Sequence, residues 1–395
     1  MNFSRPSHLI FAALLCWVWS HSTWAQRNAS SPEITIEGSR GFALSINPFT
    51  GPSGMEARSL LERSLARDGQ FSFPSTPNGE TYLIRAQAAP DRIDGTVVTS
   101  SGASVLRQTY RGENLRLLVS RFSDDIVRSV TGSQGIAGSR IAFVSDRSGH
   151  KEVYLCDASG GQVQQVTRDK SLCVSPCLSR DGRLLAFTSY VEGYADVYLL
   201  ELPTGRRRRA FAEPGTNTGA AISPSGSEIA LTMSSPGNPE IFVGPVTGGS
   251  ARRLTKNRFV DSSPAWSPDG KYLVFVSDAN GRPQLFVASS SGGRPVALDT
   301  GFPECYEPSW APDGKRIAFT ARSGGVHQIA LFDLQKKSGH LITRGSGSEQ
   351  PVWGSNSRHL IYIENNSIVL HETETGFREP ILSRFGNITE LSWSQ

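Results

Sequence analysis

A short apolar motif recurs along the C-terminal two-thirds of the chain at an almost constant spacing. In each copy four consecutive residues are mostly aliphatic or aromatic and stand between polar segments, which is typical of a buried β-strand. The third residue of the motif occupies positions 143, 187, 231, 275, 319 and 362, so the copies are 44, 44, 44, 44 and 43 residues apart. A repeat of about 40–45 residues is typical of four-stranded propeller blades. The pattern therefore predicts a mainly β fold whose C-terminal part is a six-bladed β-propeller.

The fullest copy of the repeat covers residues 263–271 and reads Ser-Pro-Ala-Trp-Ser-Pro-Asp-Gly-Lys. Its Pro-Asp-Gly segment predicts a tight turn, because proline presets φ, aspartate bonds locally to the backbone and glycine accepts a left-handed conformation. Strands are predicted at residues 272–277 and 284–288, and a Gly-Gly turn then leads to an outer strand. Each copy therefore contains the elements of one blade.

The first copy lacks the Trp-Ser strand that precedes the apolar motif in the others. Ser139 and Arg140 stand directly before the motif, whereas the missing strand occurs at the end of the chain as Glu-Leu-Ser-Trp-Ser at residues 390–394. We therefore predict that the C-terminal strand completes the first blade and closes the ring. Closure removes sheet edges that would otherwise favour aggregation.

Two further features of the repeat have both a structural and a functional interpretation. Tryptophan stands in the same register at positions 266, 310, 353 and 393, and we interpret it as packing between blades rather than stacking on a ligand. The four arginines at residues 206–209 resemble a nucleic-acid or heparin patch. Because they align with the turn into an outer strand, we interpret them as a solvated sheet edge.

The N-terminal region does not follow the repeat and predicts a small α/β domain preceded by an arm. Its apolar spacing predicts strands at residues 34–36, 42–46, 93–99 and 104–110 and helices at 54–68 and 113–130. Residues 26–33 are polar, include Pro32 and are expected to form a mobile arm. The predicted organisation is a signal peptide at residues 1–25, an N-terminal α/β domain with its arm at 26–135, and a propeller at 136–395.

The first 25 residues are typical of a cleavable secretory signal peptide. Arg5 lies in a short polar segment, residues 9–19 form an apolar run of 11, and Thr23 and Ala25 provide the small side chains expected before a cleavage site. An uncleaved anchor is the alternative. A lipoprotein signal through Cys16 is less favoured, because Leu15 stands where a small residue is required.

The composition narrows the class of protein without identifying a partner. Of 395 residues, 38% are hydrophobic and 19% are charged, which argues against both a polytopic membrane protein and a disordered chain. The net charge of +4 is too weak to predict nucleic-acid binding. Cleavage of the signal would leave four cysteines, either paired or as buried thiols. They are Cys156, Cys173, Cys177 and Cys305.

No motif of a common catalytic or cofactor site occurs in the sequence. A Gly-x-Ser-x-Gly elbow, a glycine-rich phosphate loop, a His-Glu-x-x-His motif and a Cys-x-x-Cys pair are all absent. Glu307 and Glu390 share one register, three residues before Trp310 and Trp393, and could place carboxylates at the mouth of the propeller channel. Because the other blades have serine, glycine or glutamine there, we expect neither a dedicated cation site nor a cofactor.

The sequence resembles the TolB family of the periplasmic Tol-Pal system over most of the mature chain. In the propeller the resemblance rests on the Ser-Pro-Ala-Trp-Ser-Pro-Asp-Gly-Lys unit, which other secreted propellers also contain. More specific matches are Ile-Thr-Ile-Glu-Gly at residues 34–38 followed by Ile-Asn-Pro-Phe at 46–49. Ser-Asp-Asp-Ile-Val-Arg-Ser-Val-Thr-Gly at 123–132, running into Ser-Arg-Ile-Ala-Phe-Val at 139–144, resembles the interdomain helix and the first propeller strand.

This resemblance implies a monomeric periplasmic binding protein rather than an enzyme. In the family the propeller binds Pal, a peptidoglycan-associated lipoprotein, and the N-terminal arm engages TolA. The system maintains outer-membrane integrity and constriction during division, and bacteriocins can exploit it. The residues that match the arm are Gln26, Arg27, Asn28, Ala29 and Ser30. The residues that match the propeller mouth are Gly215, Thr218, Phe259, Ser262 and Glu307.

Two other functions are compatible with a secreted propeller. One is a recognition or accessory module unrelated to Tol-Pal, and the other is a propeller enzyme such as a lyase or glycan hydrolase. The N-terminal α/β domain and its arm favour the Tol-Pal role.

Overall fold

The computed structural model describes residues 41–74 and 80–394 of the chain. The predicted signal peptide, the arm at residues 26–33 and the predicted strand at 34–36 lie outside the described residues. The described part is mainly β and contains two helices. Neither of these two helices combines the length and the apolar character needed to cross a membrane.

The N-terminal part forms an α/β domain on a mixed five-stranded sheet. Its elements in chain order are β1 (Phe42–Ile46), α1 (Gly54–Asp68), β2 (Phe71–Ser72), β3 (Thr81–Ala89), β4 (Arg92–Thr99), β5 (Ser104–Arg111) and α2 (Leu115–Thr131). The strands lie in the order β2-β1-β3-β4-β5, with β1 parallel to β2 and β3 and the other pairs antiparallel. The two helices cover one face of the sheet, and the other face carries exposed residues such as Arg85 and Gln87.

The helices form where the sequence places apolar residues on one side. α1 buries Leu61 and Leu65, and Gly69 ends it in the left-handed conformation at φ 75°. The bounds of α1 and β1 agree with the prediction. α2 begins two residues later than predicted, because the side chain of Asn114 caps it by accepting the N–H of Leu117 at 3.2 Å.

The sequence analysis does not predict β2 or β3. In β3 the exposed Arg85 and Gln87 alternate with the buried Ala86 and Ala88. Alanine is a weak strand former with little apolar surface, so the alternation gives a weak strand signal.

The remaining strands form six four-stranded sheets arranged as blades. Blade 1 contains β6 (Arg140–Ser145), β7 (Glu152–Asp157), β8 (Gln164–Gln165) and the C-terminal β29 (Ile388–Trp393); blade 2 contains β9 (Cys173–Leu178), β10 (Leu184–Ser189), β11 (Asp196–Glu201) and β12 (Arg206–Phe211); blade 3 contains β13 (Asn217–Ile222), β14 (Glu228–Met233), β15 (Glu240–Pro245) and β16 (Arg252–Arg253). Blade 4 contains β17 (Asp261–Trp266), β18 (Tyr272–Ser277), β19 (Gln284–Ser289) and β20 (Val296–Ala297); blade 5 contains β21 (Cys305–Trp310), β22 (Arg316–Ser323), β23 (Val326–Asp333) and β24 (Ser338–Leu341); blade 6 contains β25 (Ser348–Trp353), β26 (His359–Glu364), β27 (Ser367–Glu372) and β28 (Arg378–Leu382). The prediction of a six-bladed propeller is confirmed.

The C-terminal strand pairs with the first blade, as the sequence predicts. β29 is antiparallel to β6, with Trp393 opposite Ile141 and Leu391 opposite Phe143. Trp393 also packs against Gly354 of blade 6, where a β-carbon would stand 2.8 Å from the indole ring. The strand therefore joins blade 6 to blade 1 and closes the ring.

The tryptophans of the repeat pack between neighbouring blades. Trp266 of blade 4 is 8% exposed and lies against Ile241 and Val243 of blade 3. Its Nε1–H donates to the carbonyl oxygen of Ala221 at 2.9 Å. Trp353 of blade 6 is fully buried in a cluster with side chains of blade 5. The structural interpretation of these residues is therefore correct.

Most of the arginines in the run at residues 206–209 form ion pairs within the propeller. Three of the four arginines of β12 form ion pairs, Arg206 with Glu201, Arg207 with Asp169 and Arg209 with Asp196. The edge is therefore ion-paired rather than merely solvated.

All four cysteines after the predicted cleavage site are free thiols in the described structure, and three of them are buried.

The strand directions define two faces of the ring. Loops that lead into an innermost strand lie on the mouth face and comprise residues 166–172, 212–216, 254–260, 298–304, 342–347 and 383–387. Turns that follow an innermost strand lie on the turn face and comprise residues 179–183, 223–227, 267–271, 311–315 and 354–358.

The N-terminal domain packs against the turn face at blade 6. His359 follows a turn of that face, and its Nε2 lies 3.0 Å from the carbonyl oxygen of Arg67 at the end of α1. Arg67 also pairs with Glu379 of β28. The Ser355 hydroxyl donates to the carbonyl oxygen of Gly135 at 3.0 Å. These contacts leave the mouth face on the side of the ring opposite the N-terminal domain.

Candidate binding site at the propeller mouth

One residue in each innermost strand adopts a left-handed conformation and faces the central channel. A register shift in the pairing of each strand marks a β-bulge at this point. The six residues have φ between 52° and 61°; they are Ser175, Gly219, Ser263, Glu307, Gln350 and Glu390. All six line a channel cavity of about 310 Å³. In four blades proline follows, so the bulge there lacks one backbone N–H.

The two carboxylates of this ring bond to the next blade. Glu307 accepts hydrogen bonds from the Thr320 hydroxyl at 2.7 Å, the Gln350 backbone N–H at 3.0 Å and the Gln350 side-chain amide at 2.5 Å. Glu390 accepts the Ser175 backbone N–H at 2.5 Å. Burial raises the pKa of both carboxyl groups despite these bonds. The carboxylates therefore fasten blade 5 to blade 6 and blade 1 to blade 2.

The described residues contain no group of three or more histidine, cysteine, aspartate or glutamate side chains placed to hold a metal ion. Beside the two carboxylates, the channel cavity is lined by serine hydroxyls, prolines, apolar and aromatic side chains, Gln350 and Arg180. Both carboxylates are engaged in hydrogen bonds to neighbouring strands, so they act at least in part as structural groups of the channel wall.

The structure distributes the predicted mouth residues between the rim and the channel. Gly215 and Phe259 lie in lead-in loops of the mouth face, and Thr218 and Ser262 lie in the first half of innermost strands. Of the five, only Glu307 lines the channel. They therefore form a rim and a wall rather than one compact cluster.

A buried polar clasp holds the loop that contains Phe259, and the sequence analysis missed it. Glu240 is fully buried and accepts hydrogen bonds from the Thr255 hydroxyl at 2.5 Å, the Asn257 N–H at 2.8 Å and the Arg253 guanidinium at 2.7 Å. Thr255 in turn accepts the Ile241 N–H at 2.9 Å. The clasp ties the lead-in loop to the third strand of the preceding blade.

The same clasp recurs in alternate blades. In blade 1, Thr167 donates to Glu152 at 2.5 Å and accepts the Val153 N–H at 2.8 Å. In blade 5, Thr343 donates to Gln328 at 2.8 Å. The signal that could have revealed it is an aliphatic residue followed by threonine at positions 166–167, 254–255 and 342–343.

Exposed apolar side chains stand on the rim of the mouth face. Leu172 is 38% exposed, Val191 43%, Tyr194 72% and Val260 43%. Leu172 and Val191 are brought together because the Tyr190 N–H donates to the Leu172 carbonyl oxygen at 3.0 Å. Leu172 and Val191 thus form an exposed apolar pair on the blade 2 part of the rim, and exposed apolar patches are typical of protein-binding surfaces.

The sequence of the chain is similar to a propeller family model and to curated bacterial proteins. Residues 127–395 match the family model PD40, the TolB beta propeller domain. A Protein TolB homolog from Chlorobaculum tepidum is 34% identical over 156 residues, which are 37% of this chain and 36% of that protein. The Tol-Pal system protein TolB of Geobacter sulfurreducens is 36% identical over 128 residues, 30% of this chain and 29% of that protein. The matched segments span about a third of the length of these curated relatives.

Solved structures show the same fold at low identity. The crystal structure of TolB from Acinetobacter baumannii aligns with a TM-score of 0.78 at 24% identity, over 90% of this chain and 97% of that one. A chain of the nidogen/laminin complex aligns with a TM-score of 0.55 at 10% identity, over 65% of this chain and 99% of that one. The first alignment includes the N-terminal domain as well as the propeller, because it covers more of the chain than the propeller alone.

Proposed function

The chain belongs to the PD40 family, the TolB β-propeller domain, and from that premise we propose that it is a periplasmic binding protein of the Tol-Pal system. In this proposal the propeller mouth binds a Pal-like peptidoglycan-associated lipoprotein, and the N-terminal arm binds a TolA-type protein. Through these two contacts the chain helps to maintain the outer membrane and its constriction during division. It acts by binding and has no catalytic role.

The construction of the mouth face is the observation that carries this proposal. The clasps at Glu152, Glu240 and Gln328 fix three lead-in loops, while Tyr194 and Val260 stay exposed beside them. A rim fixed in this way loses little conformational entropy when a partner binds. The N-terminal domain lies at the other face, so a folded partner has access to the whole rim.

Binding of the mature chain to the same organism's Pal-like lipoprotein, measured by calorimetry, tests the proposal. We expect the pair of substitutions Tyr194→Glu and Val260→Asp to weaken binding about tenfold or more, because each buries a charge in the interface. The matched control is Tyr272→Ala, since Tyr272 is 46% exposed but follows a turn of the turn face. No detectable binding of the unmodified chain, together with an intact outer membrane after gene deletion, contradicts the Tol-Pal role.

The arm residues Gln26, Arg27, Asn28, Ala29 and Ser30 lie outside the described residues, and their role is a proposal from the family. Deletion of residues 26–33 should abolish binding of the TolA-type partner without changing lipoprotein affinity or the melting temperature. Loss of lipoprotein binding in the same truncated chain contradicts the separation of the two sites. Mass spectrometry of the periplasmic protein should find Gln26 as the first residue.

A further inference from the structure

The open face of the N-terminal sheet carries three rows of side chains, polar in eight of nine positions, which together we call the arginine face. The register of β3, β4 and β5 aligns the rows directly across the strands. They are Arg85–Thr96–Arg107, Gln87–Asp94–Thr109 and Ala89–Arg92–Arg111. Tyr110, between Thr109 and Arg111, points to the other side, where its hydroxyl bonds to Asp125 of α2 at 2.8 Å.

The positive charges of this face exceed its negative charge. Asp94 is bonded by Arg92 at 2.8 Å and by the Thr109 hydroxyl at 2.6 Å, and these bonds lower its pKa. Among the described residues, Arg85, Arg107 and Arg111 form no ion pair, and all three are exposed. Three guanidinium groups therefore have no carboxylate partner within residues 41–74 and 80–394.

The outer strand of blade 2 provides a contrast within the same molecule. Its arginines are also on a sheet edge, yet Arg207 binds both oxygens of Asp169 at 2.6 and 2.7 Å. Arg209 pairs with Asp196 at 2.7 Å. Within the described part of the chain, these two arginines of the blade 2 edge thus have carboxylate partners, whereas Arg85, Arg107 and Arg111 have none.

The arginine face ends at the outer edge of β5. β5 is the last strand of its sheet, and within the described ranges no strand pairs with its outer side. The Gly112 N–H donates to the Asp91 carbonyl oxygen at 3.0 Å, which fixes the alternation along β5. It follows that the N–H and C=O groups of Arg107, Thr109 and Arg111 point away from β4. The same three residues carry side chains of the arginine face.

We propose that β5 accepts an extended acidic segment of a partner protein as a sixth strand. The backbone groups of the free edge would pair with the segment, and carboxylates on its matching face would pair with Arg107 and Arg111. These two residues are four positions apart on one face, about 13 Å at 3.3 Å per residue. The segment should therefore carry acidic residues four positions apart.

The chemistry of the face disfavours two other occupants. A second copy of this chain paired through β5 would place like charges opposite each other, which is destabilising. A lipid surface is a poorer match, because none of the nine residues has a large apolar side chain that could insert into a bilayer.

Fluorescence anisotropy with a labelled peptide tests the proposal on the full mature chain. The probe is Thr-Glu-Val-Thr-Val-Glu-Val-Thr-Val-Glu at about 0.15 M salt, near which the Debye length is about 8 Å. We expect R107E/R111E to weaken binding about tenfold or more. We expect a similar loss for Thr109→Pro, because proline removes an outward N–H without breaking the pairing to β4. Arg206→Glu on blade 2 is the control and should bind as the unmodified chain does.

Three results overturn the proposal. The first is equal affinity for the same peptide with lysine in place of glutamate, and the second is unchanged binding by both R107E/R111E and Thr109→Pro. The third is arginine-dependent binding to vesicles of phosphatidylcholine and phosphatidylglycerol without peptide binding, which indicates a membrane surface. The two variants alter side-chain charge and backbone separately. Circular dichroism of each variant shows whether it folds. If one variant fails to fold, peptide binding by the other variant tests the proposal.

Discussion

Glu240 illustrates how single buried side chains hold the mouth of this propeller. Its carboxylate is fully buried, and each oxygen bonds to a different part of the lead-in loop. Removing it leaves the Arg253 guanidinium and the Asn257 N–H without their shared partner. Buried donors that lose an acceptor cost more than the average hydrogen bond contributes.

Glu240→Ala should accordingly lower the free energy of unfolding by about 2–4 kcal/mol, which is the range for breaking a buried polar network. Urea denaturation followed by tryptophan fluorescence measures the change. Glu192→Ala is the control, because Glu192 is exposed and its loss should cost less than about 0.5 kcal/mol. Equal stability of the two variants contradicts a structural role for the clasp.

At the residue scale, the role of a side chain could be predicted where the same residue type recurs at one position of the repeat. It was missed where the residue type at that position differs between blades. The tryptophans at 266, 353 and 393 stand at one repeat position, so their packing between blades could be inferred. The clasp joins a threonine to an acceptor 15 residues earlier, and that acceptor is glutamate in two blades and glutamine in a third. The same position in blade 2 is Asp196, which pairs with Arg209 instead.

At the scale of the element, the C-terminal strand β29 makes side-chain contacts to several blades. The Trp393 Nε1–H donates to the Ser139 hydroxyl at 2.7 Å, and the Ser392 hydroxyl accepts the Leu178 N–H of blade 2 at 2.8 Å. With the Gly354 contact, β29 touches three blades.

Trp393→Ala should therefore cost about 3–5 kcal/mol, the usual range for truncating a buried aromatic side chain. Trp310→Ala should cost less, because Trp310 is only half-buried and bonds within its own blade. Thermal unfolding of both variants gives the comparison. Deletion of residues 387–395 should lower the melting temperature further, and a truncated chain that melts like the full-length protein would falsify ring closure by β29.

The junction of α1 with blade 6 contains a buried neutral histidine. His359 Nε2 faces the Arg67 carbonyl oxygen at 3.0 Å, so Nε2 carries the proton. Its Nδ1 faces the Asn356 side-chain amide at 2.8 Å and accepts from it. Burial lowers the pKa of His359, although the nearby Asp68 and Glu372 act in the opposite direction.

Because the folded pKa lies below the ordinary value of 6.5, this histidine stabilises the fold fully only above about pH 6.5. The stabilisation decreases as the pH falls through that value. His359→Gln should flatten the dependence of the melting temperature on pH between about 7.5 and 5. His340→Gln, at an exposed histidine, is the control. A remaining slope is expected from His371, whose pKa burial lowers to about 4.

Helices and strands were predicted where large apolar residues recur at a regular spacing, and they were missed where the buried positions hold small residues. The residues of α1 and of the repeated strands alternate or recur clearly, and their bounds were predicted closely. β3 was missed because Ala86 and Ala88 occupy its buried positions. The contact of α1 with blade 6 could not be predicted, since His359 and Arg67 are 292 positions apart and neither has a distinctive local sequence.

At the scale of the whole molecule, the two proposed binding surfaces lie on different bodies. The rim with Tyr194 and Val260 is on the mouth face, while the arginine face is on the N-terminal domain, which packs against the turn face. Nothing in the described contacts joins the two surfaces directly.

Binding at the two surfaces should therefore be independent. R107E/R111E should leave affinity for the Pal-like lipoprotein unchanged within about twofold, and Tyr194→Glu should leave acidic-peptide binding unchanged. Calorimetric titration of one ligand in the presence and absence of the other measures the coupling. A change of affinity beyond about threefold contradicts independence and indicates communication through the junction at His359.

The ring closure also bears on the order in which the chain can complete its fold. Blade 1 needs both β6 and β29, and the Arg140 N–H that bonds to the Ser394 hydroxyl is separated from it by 254 positions. During synthesis of the chain, β6 has one unpaired edge until the residues of β29 have been added. A chain that ends before β29 keeps that edge of β6 exposed, and an exposed edge favours pairing with other chains. Blade 1 can therefore complete its four-stranded sheet only after β29 has been synthesised.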